Sequence, residues 1–265
     1  MNKEKEIISL IESSIKKGND NIISFTINLT TDLRKIISKD NLAKIIAKRL
    51  SKKNIYFLRH ADAQHNVLER LYKGDFNKCN VYDPSIIEAG AYQTKLTLEK
   101  YKEEVIKFDS VFVSPLTRTI QTYLLVKNYL NKNTQIFITD FAREVLSYCD
   151  KNKGKKLSVL KNELKEENIN FDYMTKEYWW FDLGKDKEDE LEEILNFRLR
   201  LIIFILWLIF RPEINILIIS HSNVYRYLQE KGIVNAGLTK MNNIILYEKL
   251  MLLIYFKIIE KSKKK

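Results

Sequence analysis

From residue 54 onward the chain alternates short, wholly apolar runs with longer amphipathic stretches. Ile55-Tyr56-Phe57-Leu58, Asp109 to Val113, Gln135 to Ile138 and Ile214 to Ile219 have strand length and little polar interruption, which suits strands buried on both faces. Between and after them, Glu88 to Tyr101, Leu116 to Leu130, Leu157 to Glu167, Glu188 to Phe210 and Asn223 to Lys231 read as helices. Two closing runs, Ile244 to Tyr247 and Leu250 to Ile258, read as a terminal hairpin. Strands alternating with helices predict an α/β sheet covered on both faces.

The first 52 residues follow a different pattern. Ile7, Ile8, Ile11 and Ile15 recur at helical spacing, and Gly18-Asn19-Asp20 is a stop signal. Ile22 to Leu29 alternates enough to predict a short strand, and Asp40 to Leu50 predicts a helix capped by Asp40. The domain reading is therefore an N-terminal extension over 1–52 and an α/β domain over 53–265. The extension carries no recognisable pocket chemistry. It reads as a packing element, with a partner-binding or oligomerisation module as the sharper alternative.

Composition narrows the classes. Hydrophobic residues make up 45 % and charged residues 30 % of 265, an ordinary globular balance, and 7 Gly and 3 Pro leave little room for long disordered linkers. The net charge of +11 attracts anions in general, but it is spread along the chain, with its densest cluster at Lys261 to Lys265. No nucleic-acid signature accompanies it, which argues against DNA or RNA as partner. The most apolar run, Leu201 to Phe210, is about half of the ~20 residues a spanning helix needs, so it predicts a buried core helix and no membrane span. Two cysteines, Cys79 and Cys149, make no disulfide framework, and the N-terminus lacks a signal peptide's apolar stretch. The expected setting is cytoplasmic and reducing. Oligomeric state stays open.

Candidate chemistry sits directly after three predicted strands: Arg59-His60, Ser114-Pro115-Leu116-Thr117-Arg118, and Ser220-His221-Ser222-Asn223. In open α/β sheets ligands bind beyond the carboxyl ends of strands, so clusters distant in sequence are expected to converge. Of only three histidines, His60, His65 and His221, two stand at strand ends. Neutral imidazole is a good nucleophile toward phosphorus, and arginine forks match phosphate oxygens. Such a reaction also needs an acid for the leaving oxygen and a base for water. Each signal is modest alone; their combination points to phosphoryl transfer.

Leu58-Arg59-His60-Ala61-Asp62-Ala63-Gln64-His65-Asn66 resembles the signature of the histidine phosphatase superfamily, with its phosphoglycerate mutase-like fold. Ser114 to Thr122 is similar to that family's second motif, Asp83 to Gly90 to its DxxLTxxG stretch, Arg143-Glu144-Val145 to its acidic motif, and Ser220-His221-Ser222 to its closing one. The resemblance runs in family order over residues 54–228. It implies a three-layer αβα sandwich with a mostly parallel, doubly wound sheet. It implies His60 as phosphoryl acceptor, Arg59, Arg118 and His221 as phosphate ligands, Asn66 as an orienting residue, and Glu144 as general acid and base. It implies a small phosphorylated substrate and neither metal nor organic cofactor, in keeping with the lack of Cys/His metal spacing.

Two departures stand out: Ala61 where the family often has Gly, and Asp62 where Glu often follows. His65 has two readings, substrate contact at the rim or packing within the loop, of which packing is preferred. Around Glu144 the residues that the resembling mutases use to grip phosphoglycerate are missing, which favours a phosphatase over a mutase. A pseudoenzyme binding phospho-ligands without turnover is the remaining alternative. The aromatic segment with Tyr173, Tyr178, Trp179 and Trp180 reads as core before lid, and Lys151, Lys153, Lys155 and Lys156 as a solvated loop. The acidic run Asp186 to Glu193 reads as the charged start of a helix.

Overall fold

The computed structural model describes residues 3–18, 21–146, 150–180 and 192–255. In chain order these form α1 (Lys3–Lys17), α2 (Ile22–Ile36), α3 (Lys39–Leu50), β1 (Asn54–Arg59), α4 (Gln64–Leu71), α5 (Phe76–Cys79) and α6 (Glu88–Lys100). Then come α7 (Lys102–Val105), β2 (Ser110–Val113), α8 (Thr117–Val126), β3 (Gln135–Ile138), α9 (Leu157–Glu163) and β4 (Ile169–Asn170). The remainder is α10 (Ile194–Phe210), β5 (Asn215–Ser220), α11 (Ser222–Gln229), β6 (Leu238–Lys240) and α12 (Asn243–Tyr255). The strands make one six-stranded sheet in the order β4-β3-β2-β5-β1-β6, parallel throughout except for β6 against β1.

The continuous apolar strands explain why the sheet is covered twice. Alternate side chains leave opposite faces. Ile55, Phe57, Phe112, Phe137, Ile216 and Ile218 enter one core, with α1, α2, α3, α10 and α12. Leu58, Val111, Val113, Ile136, Ile138, Leu217 and Ile219 enter the other, with Leu98 of α6, Ile120 and Tyr123 of α8, and Leu157 and Leu160 of α9. Helix α10 is apolar almost all round and buries thirteen of its 17 residues, as the pattern at Leu201–Phe210 predicts. Among the described residues no helix is long and apolar enough to cross a membrane.

Three sequence expectations need correction. Ile22 to Leu29 is helix, because Ile22, Phe25, Leu29 and Leu33 share one buried face at spacings of three and four, and Asn21 caps it by accepting from Ser24 N–H at 3.0 Å. Its β-branched threonines are accommodated: Thr26 and Thr30 donate back to the carbonyls of Ile22 (2.6 Å) and Thr26 (2.8 Å). The expected terminal hairpin is instead α12, whose Leu246, Leu250, Leu253 and Ile254 form a helical stripe against the core. Helix α3 is capped by Ser38, with Asp40 in its first turn. Asn19-Asp20, Cys149, Asp186 to Leu191, the expected helix start at Glu188, Ile258 and the Lys261–Lys265 cluster lie outside the described residues. The aromatic segment divides between the cores: Tyr173 packs on Phe137 and Trp207, while Trp179 and Trp180 join the other face and Tyr178 is exposed.

Candidate active site

The register of the three central strands brings the polar clusters together. Arg59 of β1 pairs with Ser220 of β5, and Val113 of β2 pairs with Ile219, so His60, Ser114 and His221 leave the sheet side by side. The His60 N–H donates to the Ser220 carbonyl (2.9 Å) and Ser114 N–H to that of Ile219 (3.1 Å). Helices α4, α8 and α11 start within a few residues of these strand ends, which puts the positive ends of their dipoles at this edge of the sheet. The rings of His60 and His221 lie 5.2 Å apart, and those of His60 and His65 5.7 Å apart.

His60 is almost fully buried, and its Nδ1 lies 2.7 Å from the carbonyl oxygen of Ala61. A carbonyl only accepts, so Nδ1 carries the proton and Nε2 keeps its lone pair. Burial, then the charges of Arg118, His65 and Arg59, hold the His60 pKa well below the usual histidine range against the Ala61 carbonyl, leaving the ring neutral. Ala61 and Asp62 are accommodated without disturbing this. The Ala61 N–H donates to Thr122 Oγ1 (2.9 Å), and Asp62 forms a bidentate pair with Arg70 of α4 at 2.6 and 3.0 Å. The carbonyl of Asp62 also accepts from Ile87 N–H (3.0 Å) at the start of α6. Helix and loop meet so closely at Gly90 that a Cβ there would stand 2.3 Å from Asp62 O and 2.7 Å from its N.

Arg118 is buried. Its Nη1 donates to the Lys151 carbonyl (2.7 Å) and its Nη2 to Asn152 Oδ1 (2.9 Å). Asn152 in turn donates to the Val145 carbonyl (2.8 Å), linking Arg118 to the Glu144 segment. Burial lowers the Arg118 pKa to about 10, still a cation at neutral pH. Arg59 Nη1 is held by the Ile233 carbonyl at 2.9 Å. His221 Nε2 meets Ser114 Oγ at 2.8 Å, and burial, Arg118 and the other histidines keep that ring neutral as well. Four buried nitrogens of this cluster, Arg59 Nε, His65 Nδ1, Arg118 Nε and His221 Nδ1, have no protein partner among the described residues. Buried polar groups are nearly always satisfied, so such a grouping marks a site for a ligand rich in acceptors.

Glu144 is buried too. Its Oε1 accepts from Val145 N–H (2.9 Å) and its Oε2 from Asn223 N–H (3.3 Å), the latter at the start of α11. Burial raises its pKa above the usual carboxylate range, against those two N–H groups and Arg118. Asn66 Oδ1 accepts from Ala63 N–H (3.2 Å) and from Asn235 Nδ2 (3.1 Å). Thus Arg59, His60, Asn66, Arg118, Glu144 and His221 all occur in one region, tied to one another through backbone and side-chain bonds.

The sequence reading missed several supports. Asn235 reaches the carbonyls of His60 and Ala61 (both 3.4 Å) as well as Asn66, from a loop with no motif of its own. Ser114 stood within a quoted motif without a role. Glu192 accepts from Arg143 (3.0 Å), from Arg200 through two nitrogens (both 2.8 Å) and from Leu146 N–H (3.4 Å). Arg200 also donates to the carbonyls of Phe141 (2.8 Å) and Arg143 (3.0 Å). This buried Arg143–Glu192–Arg200 cluster grips both sides of Glu144. It was overlooked because Glu192 lies within the acidic run Asp186 to Glu193 that reads as the charged start of a helix, whereas Glu192 and Glu193 precede α10, which begins at Ile194.

The sequence model of the histidine phosphatase superfamily (branch 1) matches residues 55–253. The chain belongs to the histidine phosphatase superfamily. Solved structures resemble this superfamily member at low identity. The ecdysone phosphate phosphatase of Bombix mori, crystallised with tungstate, is 14 % identical with a TM-score of 0.46, over 72 % of this chain and 89 % of that one. A mycobacterial glucosyl-3-phosphoglycerate phosphatase is 14 % identical with a TM-score of 0.45, over 71 % and 90 %. A phosphoserine phosphatase of Entamoeba histolytica, crystallised with 3-phosphoglyceric acid, is 14 % identical with a TM-score of 0.40, over 71 % and 89 %. No curated protein sequence matches. At such identities the assignment rests on the sequence model. Among the described residues no group of three or more His, Cys, Asp or Glu side chains could hold a metal ion.

Proposed function

We propose that this superfamily member hydrolyses a small phosphate monoester through a phosphohistidine on His60. One observation carries the reading: a neutral imidazole whose Nε2 is left free by the Ala61 carbonyl, beside two arginines and two histidines with four unpartnered nitrogens. In this reading the Arg59 and Arg118 forks and His221 bind the three non-bridging oxygens, with Asn66 orienting the group. His60 Nε2 attacks phosphorus, the P–N bond forms and the ester P–O bond breaks. Glu144, whose pKa burial raises, gives its proton to the leaving oxygen. Water then attacks the phosphohistidine, Glu144 takes its proton, the P–N bond breaks and orthophosphate leaves. Ser114 donates to His221 Nε2, so that His221 Nδ1–H faces the phosphate.

Positive charge in this scheme comes from the chain itself, without a metal. Residues 1–52 serve as a packing extension over α10 and α12, whose core their helices share. Phosphatase chemistry is preferred to mutase chemistry because Glu144 is followed by Val145 and Leu146, both tied into the fold, in place of phosphoglycerate-gripping residues.

The test is hydrolysis of p-nitrophenyl phosphate in the presence of a chelator. Wild type should turn over and be inhibited by vanadate, and His60→Ala should not turn over. A labelled substrate should leave an acid-labile, alkali-stable adduct on His60. Faster interconversion of 2- and 3-phosphoglycerate than phosphate release would make the chain a mutase. Phosphoester binding with wild type and His60→Ala equally inactive would make it a binding protein.

A further inference from the structure

His65 is the one histidine with no role in the scheme above, and its surroundings constrain it closely. It is 5 % exposed in the first turn of α4, with its ring tilted 48° to that of His60. The orientation of Asn66 decides its tautomer. Asn66 Oδ1 receives two N–H donors, from Ala63 and Asn235, so Asn66 Nδ2 is the group that faces His65 Nε2 at 3.0 Å. Nδ2 only donates, so His65 Nε2 accepts and the neutral ring bears its proton on Nδ1. That Nδ1–H is buried and meets no acceptor.

We propose that His65 Nδ1–H donates a hydrogen bond to the phosphoryl group held at His60, making His65 a further phosphate ligand beside Arg59, Arg118 and His221. The inference rests on reading this cluster as a phosphate site. It also explains features that packing alone leaves unexplained. A ring that only filled the loop would not need a buried N–H without a partner. A metal ligand would not be placed among Arg118, Lys151 and Arg59, whose charges together with burial depress the His65 pKa to about 2. The same depression removes His65 as a general base and keeps it a neutral donor throughout the working pH range. An anion with several acceptor oxygens satisfies both the cationic field and the unpartnered N–H.

Two amide substitutions separate the nitrogens. The Gln amide of His65→Gln reaches the Nε2 position, keeps an acceptor for Asn66 and places nothing at Nδ1. The Asn amide of His65→Asn stands at the Nδ1 position and gives up the Asn66 contact. Orthophosphate binding, measured by calorimetry on the full chain, should weaken about tenfold to a hundredfold in His65→Gln, the range for one hydrogen bond to a charged group. His65→Asn should bind more tightly than His65→Gln. If His65→Gln binds orthophosphate as tightly as His65→Asn or wild type, His65 is a positioning residue for Asn66 and the proposal is wrong. Binding needs no turnover, so it is read separately from the phosphatase assay. Wild type that binds orthophosphate but fails to hydrolyse esters removes the phosphatase reading and leaves this comparison decisive. Wild type that does not bind orthophosphate removes both.

Discussion

Replacing Glu192 with Ala should be among the most damaging single changes in the chain. Its carboxylate is 1 % exposed and accepts three guanidinium contacts of 2.8 to 3.0 Å from two arginine side chains that are each 4 % exposed. Burial alone would push this carboxyl up, but Arg143 and Arg200 outweigh it and leave the pKa below the usual carboxylate range. Removing one partner of a buried ion cluster leaves charge uncompensated, at about 3–5 kcal/mol. Against a typical domain stability of about 5–15 kcal/mol, that is about a fifth or more of the total. At about 2–4 °C per kcal/mol for chains of this size, the melting temperature should fall by about 6–20 °C. Arg200→Ala should be comparable, and the double variant should lose about 1–3 kcal/mol less than the sum of the singles, because both remove one interaction. A depressed carboxyl contributes stability fully above its unfolded pKa and loses it as pH falls through the folded value. The gap between wild type and Glu192→Ala should therefore close under acid conditions below the ordinary carboxylate range. Thermal melts by circular dichroism at neutral and acid pH read all of this. A Glu192→Ala melt within about 2 °C of wild type at pH 7 would refute the reasoning, since it would put the cluster below 1 kcal/mol.

Other outcomes follow from the pocket. Gly90→Ala must part α6 from the Asp62 backbone by most of an ångström, at about 1–3 kcal/mol of stability, and should lower kcat/KM on p-nitrophenyl phosphate by up to about 100-fold; unchanged rate and melting would contradict the close approach. Asn235→Ala should cut kcat/KM by at least about tenfold with a small change in melting, because it frees the His60–Ala61 backbone and Asn66; equal loss of fold and activity would make Asn235 purely structural. Because the His60 pKa is depressed and that of Glu144 raised, kcat/KM on an alkyl phosphate should hold well below pH 6.5 and decline as pH rises through the Glu144 value. An acid limb at or above pH 6.5 would show that His60 is not desolvated as described.

What could be seen in the sequence follows from how each element is buried. Strands β1, β2, β3 and β5 bury both faces, so each is an unbroken apolar run. The polar residues directly after three of them then had to share one edge of the sheet. Helix α2 was hidden because Ile23, Phe25, Ile27 and Leu29 alternate with polar residues, which masks the helical spacing of Ile22, Phe25 and Leu29 that Leu33 continues. Helix α12 was hidden for a different reason: apolar residues surround it, so no period stands out. Strand β6 is three residues long with Leu238 alone buried, too short for any pattern. The candidate nucleophile and its companions were legible because their types are rare and their motifs local. Asn235 and Glu192 were not, since each acts on residues far away in sequence and is an ordinary polar side chain where it stands.

Strand β1 has an unusual place in the order of synthesis. Both of its neighbours are made long after it: Asn54 meets Asn215, 161 residues downstream, and β6 follows later still. Asn235 closes on the His60 carbonyl across 175 residues. A growing chain on the ribosome therefore carries Ile55 to Leu58 as an unpaired apolar segment until residues beyond 215 are made, with the loop-closure penalty that slows folding of distant contacts. The same delay has a protective side. The His60 loop gains its last backbone anchors only when residues beyond 230 arrive, so a half-made chain cannot assemble the pocket around that histidine.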